Sequence, residues 1–245
     1  MIAGWMWNRL AIRRTARQVI ATAKAAWGTP HEYRLVNYLQ FTQCDLAWYD
    51  DRRRELEALG FTYLADFEDV TISRSLTTSQ PTFMRVLTAA EGDVCACIYQ
   101  VTSSVVTPES NGAAEIRETF CVEFETEFSD GTFLLTTPTR EVDLTDEVPG
   151  IRRIRPAFEE TVEERLRRHR EELAMYLGNH RDTQPIAVRT WDDLLAQMHR
   201  CQGLKIRHRE TTGWISEEEL RRFGVGQRPE VLDAVWAEIK RQNKS

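Results

Sequence analysis

Between residues 116 and 138 the chain alternates. Phe120, Val122, Phe124, Thr126 and Phe128 interleave with Cys121, Glu123, Glu125 and Glu127, the period of two that sends alternate side chains to opposite faces of a strand. Ser129-Asp130-Gly131-Thr132 follows, and Asp-Gly is a favoured centre for a two-residue hairpin turn because both positions tolerate positive φ. A turn centred there sets Phe128 opposite Phe133, Thr126 opposite Leu135 and Phe124 opposite Thr137. The glutamates then face Thr132, Leu134 and Thr136. A slip of one residue would mix the faces. The stretch therefore predicts a hairpin at the centre of an antiparallel sheet, with the acidic row on its wet side.

Helices are predicted on either side of that sheet. Residues 1–27 hold no acid, and Trp5, Ile12, Ala16, Val19, Ala23 and Trp27 fall near one side of a helix. Arg13, Arg17 and Lys24 lie toward another side and Arg9 interrupts the apolar one, an imperfect amphipathic pattern. Gly28 and Pro30 end it. Residues 31–60 read as a second helix, burying Leu46, Tyr49, Leu56 and Leu59 and stopping at Gly60. Residues 61–67 read as a strand, and 70–81 as a loop or weak edge strand. Residues 83–89 and 94–101 read as a hairpin around Glu91-Gly92, and 102–114 as a loop.

Pro156 opens the strongest helical stripe: Phe158, Val162, Leu166, His169, Leu173 and Tyr176. Residues 178–185 break the pattern as a linker. Thr190 with Asp193 and Ser216 with Glu219 form capping boxes for two further helices. Pro229 begins a third, with Leu232, Val235, Trp236 and Ile239 on one side. The fold class predicted is α+β, an antiparallel sheet of about five strands packed against a long helix. It divides into an N-terminal basic helix (1–30), a core (31–180) and a C-terminal helical subdomain (186–245).

A chain of 245 residues can bury a full core. Its formal charge of −6 disfavours nonspecific contact with nucleic acid. No apolar run approaches the ~20 residues of a spanning helix. The apolar pieces near Met1 are broken by Asn8, Arg9, Arg13 and Arg14, so no secretory signal is expected. Five cysteines without framework spacing suit free thiols in a reducing compartment. The cytoplasm is the expected location, with peripheral membrane attachment as the alternative.

The common chemical signatures are missing: no Walker A loop, no G-x-G-x-x-G, no G-x-S-x-G, no H-E-x-x-H and no C-x-x-C. Cys95 and Cys97 share a strand face, but no histidine stands at ligand spacing from them, so no metal and no cofactor are expected. His169 reads either as a satisfied core residue or as a titrating group beneath the sheet. Three helices with a basic side in the tail resemble a helix-turn-helix module only in outline, and Glu217, Glu218, Glu219 and Glu230 dilute the charge. Nucleic acid is not an expected partner.

Three functional readings follow. The first is a non-catalytic protein-interaction module, with a protein partner held by the terminal helices through Trp5, Trp7, Trp214 and Trp236. The second is a small-molecule binder or enzyme with its pocket between the sheet and the 156–177 helix, lined by His169, Tyr99 and Cys97. The third is a peripheral membrane contact through residues 1–27.

Overall fold

The computed structural model describes residues 2–75, 80–106, 114–138, 147–157, 159–223 and 228–243. The fold is α+β, built on one seven-stranded mixed sheet. The strands β1 (Tyr33–Leu35), β2 (Phe61–Asp69), β3 (Met84–Ala89), β4 (Cys95–Val106), β5 (Ala114–Glu127), β6 (Phe133–Thr136) and β7 (Ile151–Ile154) lie side by side in chain order. Pairing is antiparallel from β1 through β6, and β6 pairs with β7 in parallel. The sheet thus exceeds the five antiparallel strands predicted. Both additions are short edges: β1 has three residues, and β7 sets Arg152 and Arg153 between two isoleucines, so neither shows a period.

Helix boundaries follow the caps. Before the sheet runs α1 (Ile2–Trp27). The helix predicted over 31–60 is only α2 (Leu46–Ala58), because Asp45 accepts from the Trp48 amide at 3.0 Å and starts it there. Residues 70–81, predicted as loop or strand, begin with the short helix α3 (Val70–Ser75), whose first turn Asp69 caps through the Ile72 amide at 3.0 Å. The helix predicted from Pro156 is α4 (Val162–Asn179); a Thr161–Glu164 capping box sets its start, and Phe158 lies outside the described residues. The predicted Thr190–Asp193 box does cap α5 (Trp191–Thr212). Ser216 and Glu219 exchange the bonds of a second box at α6 (Glu217–Phe223), and Pro229 opens α7 (Pro229–Gln242).

The β5–β6 hairpin is shifted by one residue from the predicted register. Glu127 pairs with Phe133, Glu125 with Leu135 and Phe124 with Thr136. The loop holds three residues, not two: Phe128 donates to Thr132 O at 2.8 Å, Gly131 donates back to Phe128 O at 2.9 Å, and Gly131 takes φ +83°. A turn closed by a left-handed glycine is the three-residue alternative to the two-residue hairpin. The odd loop slips the partner strand by one position and moves Phe133 and Leu135 onto the glutamate face.

Both faces of the sheet are covered. On the first, Phe61, Leu87, Ala96, Ile98, Val122 and Phe124 pack under Tyr49 and Leu56 of α2 and Val162 and Leu166 of α4. On the second, Phe67, Val86 and Cys95 meet Leu194, while Phe133, Leu135 and Ile151 meet Cys201, both from α5. The predicted wet face is therefore an inner face; Glu127 is 1 % exposed. Beyond α5, Ile12, Ala16, Val19 and Ile20 of α1 pack against Val235, Trp236 and Ile239 of α7.

Candidate functional site

The acidic row lies under α5, which carries its complement; Glu127 is buried, and Glu123 and Glu125 are half-buried. Successive same-face residues of a strand stand ~7 Å apart and successive turns of a helix ~5.4 Å, so the two can pair side chain by side chain over a short distance. Arg200 grips Glu127 with two bonds, 2.5 Å from Nε and 2.7 Å from Nη2. Gln197 Nε2 donates to Glu125 Oε1 at 2.9 Å. Glu123 accepts at 2.9 Å from Tyr99 Oη on β4.

Around Glu123 and Glu125 the layers leave a cavity of about 210 Å³. Its floor is Met84, Val86, Cys95, Cys97 and Tyr99 of β3 and β4; its roof is Leu194, Gln197, Met198, Cys201, Gln202 and Lys205 of α5. Trp27, His31 and Tyr33 close one side. His31 Nδ1 meets Asp69 Oδ2 at 2.5 Å and Nε2 meets Ala26 O at 2.8 Å. The two contacts fix the orientation of the ring between α1 and β2. The His31 amide in turn donates to Gln202 Oε1 at 2.8 Å. That fixes the Gln202 side chain, yet its Nε2 is buried with no partner among the described residues.

Electrostatics divide the lining groups. Burial is the main force that raises Glu125 to about 7; Glu123 and Glu127 add to it, while the Gln197 bond and Lys205 oppose it. Near neutral pH this carboxyl can therefore both give and take a proton. Lys205 is raised, by Cys201 beside it and by Glu123 and Glu125, against burial and Arg153. Burial drives the Cys95 and Cys97 thiols up and Cys201 to about 12, so all three are neutral and poor nucleophiles. Among the described residues no group of His, Cys, Asp and Glu could hold a metal ion.

The structure brings two of the three predicted pocket residues together. Tyr99 and Cys97 line the cavity, but under α5 and not under the 156–177 helix. His169 is on the opposite face, fully buried beside Phe124. There Thr126 Oγ1 donates to Asp93 O at 2.7 Å, so it accepts from His169 Nε2 at 3.0 Å, and Nδ1 accepts from Thr136 Oγ1 at 2.9 Å. Burial, with Arg170 adding to it, lowers this ring to about 3. His169 is a neutral, satisfied core histidine.

Trp214 and Trp236 are partly buried within the chain. Trp214 carries the Lys24 ammonium 5.3 Å from its ring centroid, and Trp236 packs in the α1–α7 cluster. The side chains of Trp5 and Trp7 lie outside the described residues. No described helix is long and apolar enough to cross a membrane. A wider groove of about 760 Å³ follows β7 from Glu147 to Arg155, but it borders residues outside the described part and defines no closed site.

Gln197, Gln202 and Lys205 escaped the sequence reading. The signal was present: they sit 3, 8 and 11 residues after Leu194, on the helical stripe that Leu194 and Met198 mark as inward. Polar residues on an inward stripe and glutamates on a strand are each unremarkable alone. Only their pairing marks a site. Compared with family models, with curated proteins and with solved structures, the chain matches none.

Proposed function

We propose that the protein binds a small polar molecule in the cavity between the sheet and α5. The observation that carries this reading is Gln202: a 5 % exposed amide, held in place through its oxygen, with an unused donor at a cavity wall. A buried donor without a partner costs about 1–3 kcal/mol, and a ligand acceptor would recover that. At about 210 Å³ the space is below the ~300–1,000 Å³ of drug-sized pockets, so the ligand is metabolite-sized.

The competing reading, a protein contact through α1 and α7, has to use the outer faces of these helices, because Ile12, Ala16 and Val19 already face Val235 and Ile239. A membrane contact through the same stripe meets the same obstacle.

Native mass spectrometry of the intact protein, mildly enriched from its own cells, tests the proposal. The expected result is an added mass of one to a few hundred daltons, absent from a folded Cys97→Phe variant whose ring fills the cavity. Bare protein in both samples, or an adduct that survives the filling, overturns it.

A further inference from the structure

The cavity lining carries groups of opposite charge, Glu125 and Lys205, beside one unpartnered donor, Gln202 Nε2. On the floor, Gln197 engages Glu125 Oε1 and leaves Oε2 without a hydrogen bond among the described residues. Arg200 is committed to Glu127 by its two bonds, so it does not neutralise Glu125. On the roof, Gln202 Nε2 is buried without a partner, and one helical turn further Lys205 lines the same cavity, its charge favoured by Cys201, Glu123 and Glu125. Phe67, Met84, Val86, Leu194 and Met198 supply apolar wall between them. A monovalent anion would satisfy Lys205 and Gln202 but be repelled by Glu125; a simple amine would do the reverse.

We propose that the ligand is a small zwitterion of the α-amino-acid type, its ammonium on Glu125 and its carboxylate on Lys205 and Gln202, with a neutral side chain against the methionines. This deepens the cavity reading above and rests on it.

The proposal carries a proton signature. The groups interacting with Glu125 are Glu123 and Glu127 on β5, Cys95 and Cys97 on β4, Tyr33 on β1, and Cys201 and Lys205 on α5, and His31, Asp69 and Tyr99 line the same cavity. The thiols stay neutral. Empty, Glu125 holds its proton up to about pH 7; an ammonium beside it holds it ionised. Binding below pH 7 then expels up to one proton, and affinity rises roughly tenfold per pH unit until it levels off above 7.

Titration calorimetry on the full chain tests this with alanine, valine and methionine, their decarboxylated amines and their deaminated acids, each in phosphate and in imidazole at pH 6 and 8. The expected result is that at least one amino acid binds ten times or more tighter than either of its truncated forms. Its heat should depend on the buffer at pH 6 and not at pH 8, and Glu125→Gln should remove both the buffer dependence and at least tenfold of affinity. Lys205→Met, checked for folding by circular dichroism, should cost as much while keeping the proton release. An amine or acid that binds as tightly as its parent, or a folded Glu125→Gln protein that binds unchanged, overturns the zwitterion assignment and leaves the cavity reading standing. Silence across the panel, together with bare protein in the native spectrum, overturns both.

Discussion

At the scale of single residues, two titrating groups on opposite faces of the sheet, Glu125 half-buried and His169 fully buried, pull stability in opposite directions. Glu125 is raised from 4.5 to about 7, so its contribution is fully present below pH 4.5 and lost as the pH rises through 7. His169 is lowered from 6.5 to about 3, so its contribution is present above pH 6.5 and lost as the pH falls through 3. At about 1.4 kcal/mol per unit, the two largely cancel where the windows overlap. Relative to wild type, Glu125→Gln should gain up to roughly 3 kcal/mol as the pH rises from 4.5 to 7 and nothing beyond. Urea unfolding between pH 4 and 8 reads this directly, and a pH-independent difference refutes it. Arg85 makes a second case. It is 1 % exposed, bonds Asp66 at 2.9 and 3.2 Å and Asp50 at 2.7 Å, and lies 4.5 Å from the Tyr38 ring centroid. Arg85→Met strands Asp66 in the core and should cost about 3–5 kcal/mol, whereas removing Arg85 and Asp66 together should cost less than the single change. Denaturant midpoints of both variants decide between them.

Among elements, legibility followed local signals and failed where a decision was made elsewhere. The capping boxes at Thr190 and Ser216 could be read because each is settled within four residues. The register of β5 against β6 could not, because Asp130-Gly131 serves a two-residue and a three-residue loop alike. Alternation at Glu123, Glu125 and Glu127 showed which side chains share a face but not what lies upon it; Arg200, Gln197 and Lys205 decide that from more than seventy positions away. Tyr99 and Cys97 share a strand face that can be read locally, but that α5 and not the 156–177 helix lies over them cannot. The same logic applies to α1. Its removal uncovers Leu232, Val235, Trp236 and Ile239 and takes Trp27 from the cavity wall. Deleting residues 1–27 should therefore lower the melting temperature by several degrees and raise dye binding to exposed apolar surface. An unchanged melting curve would sink this.

For the whole molecule, the proposed ligand would be coupled to stability. The cavity's floor comes from β2 to β5 and its roof from α5, so only the assembled layers offer all its groups at once. A ligand at a hundred times its Kd should stabilise the protein by about 2.7 kcal/mol. Heating scans with a ligand titrated in should show that shift in wild type and lose it in a folded Cys97→Phe variant.

The order of strands along the chain also has a consequence in time. During synthesis each strand from β2 to β6 can find its neighbour as soon as it emerges, since each pairs with its predecessor. The helix that roofs the second face comes after the whole sheet: Glu127 is made 85 residues before Thr212, a delay of about 4–17 s at ordinary elongation rates. Throughout that interval the second face is open to water, and its glutamates act as a temporary guard against sticking to other nascent chains. One row of carboxylates thus serves two stages of the molecule's life, solvent-facing in the unfinished chain and paired under α5 in the finished one. A chain ended at residue 185 should accordingly stay in solution longer with its glutamates than with Glu123, Glu125 and Glu127 all changed to valine, and equal precipitation would remove that first role.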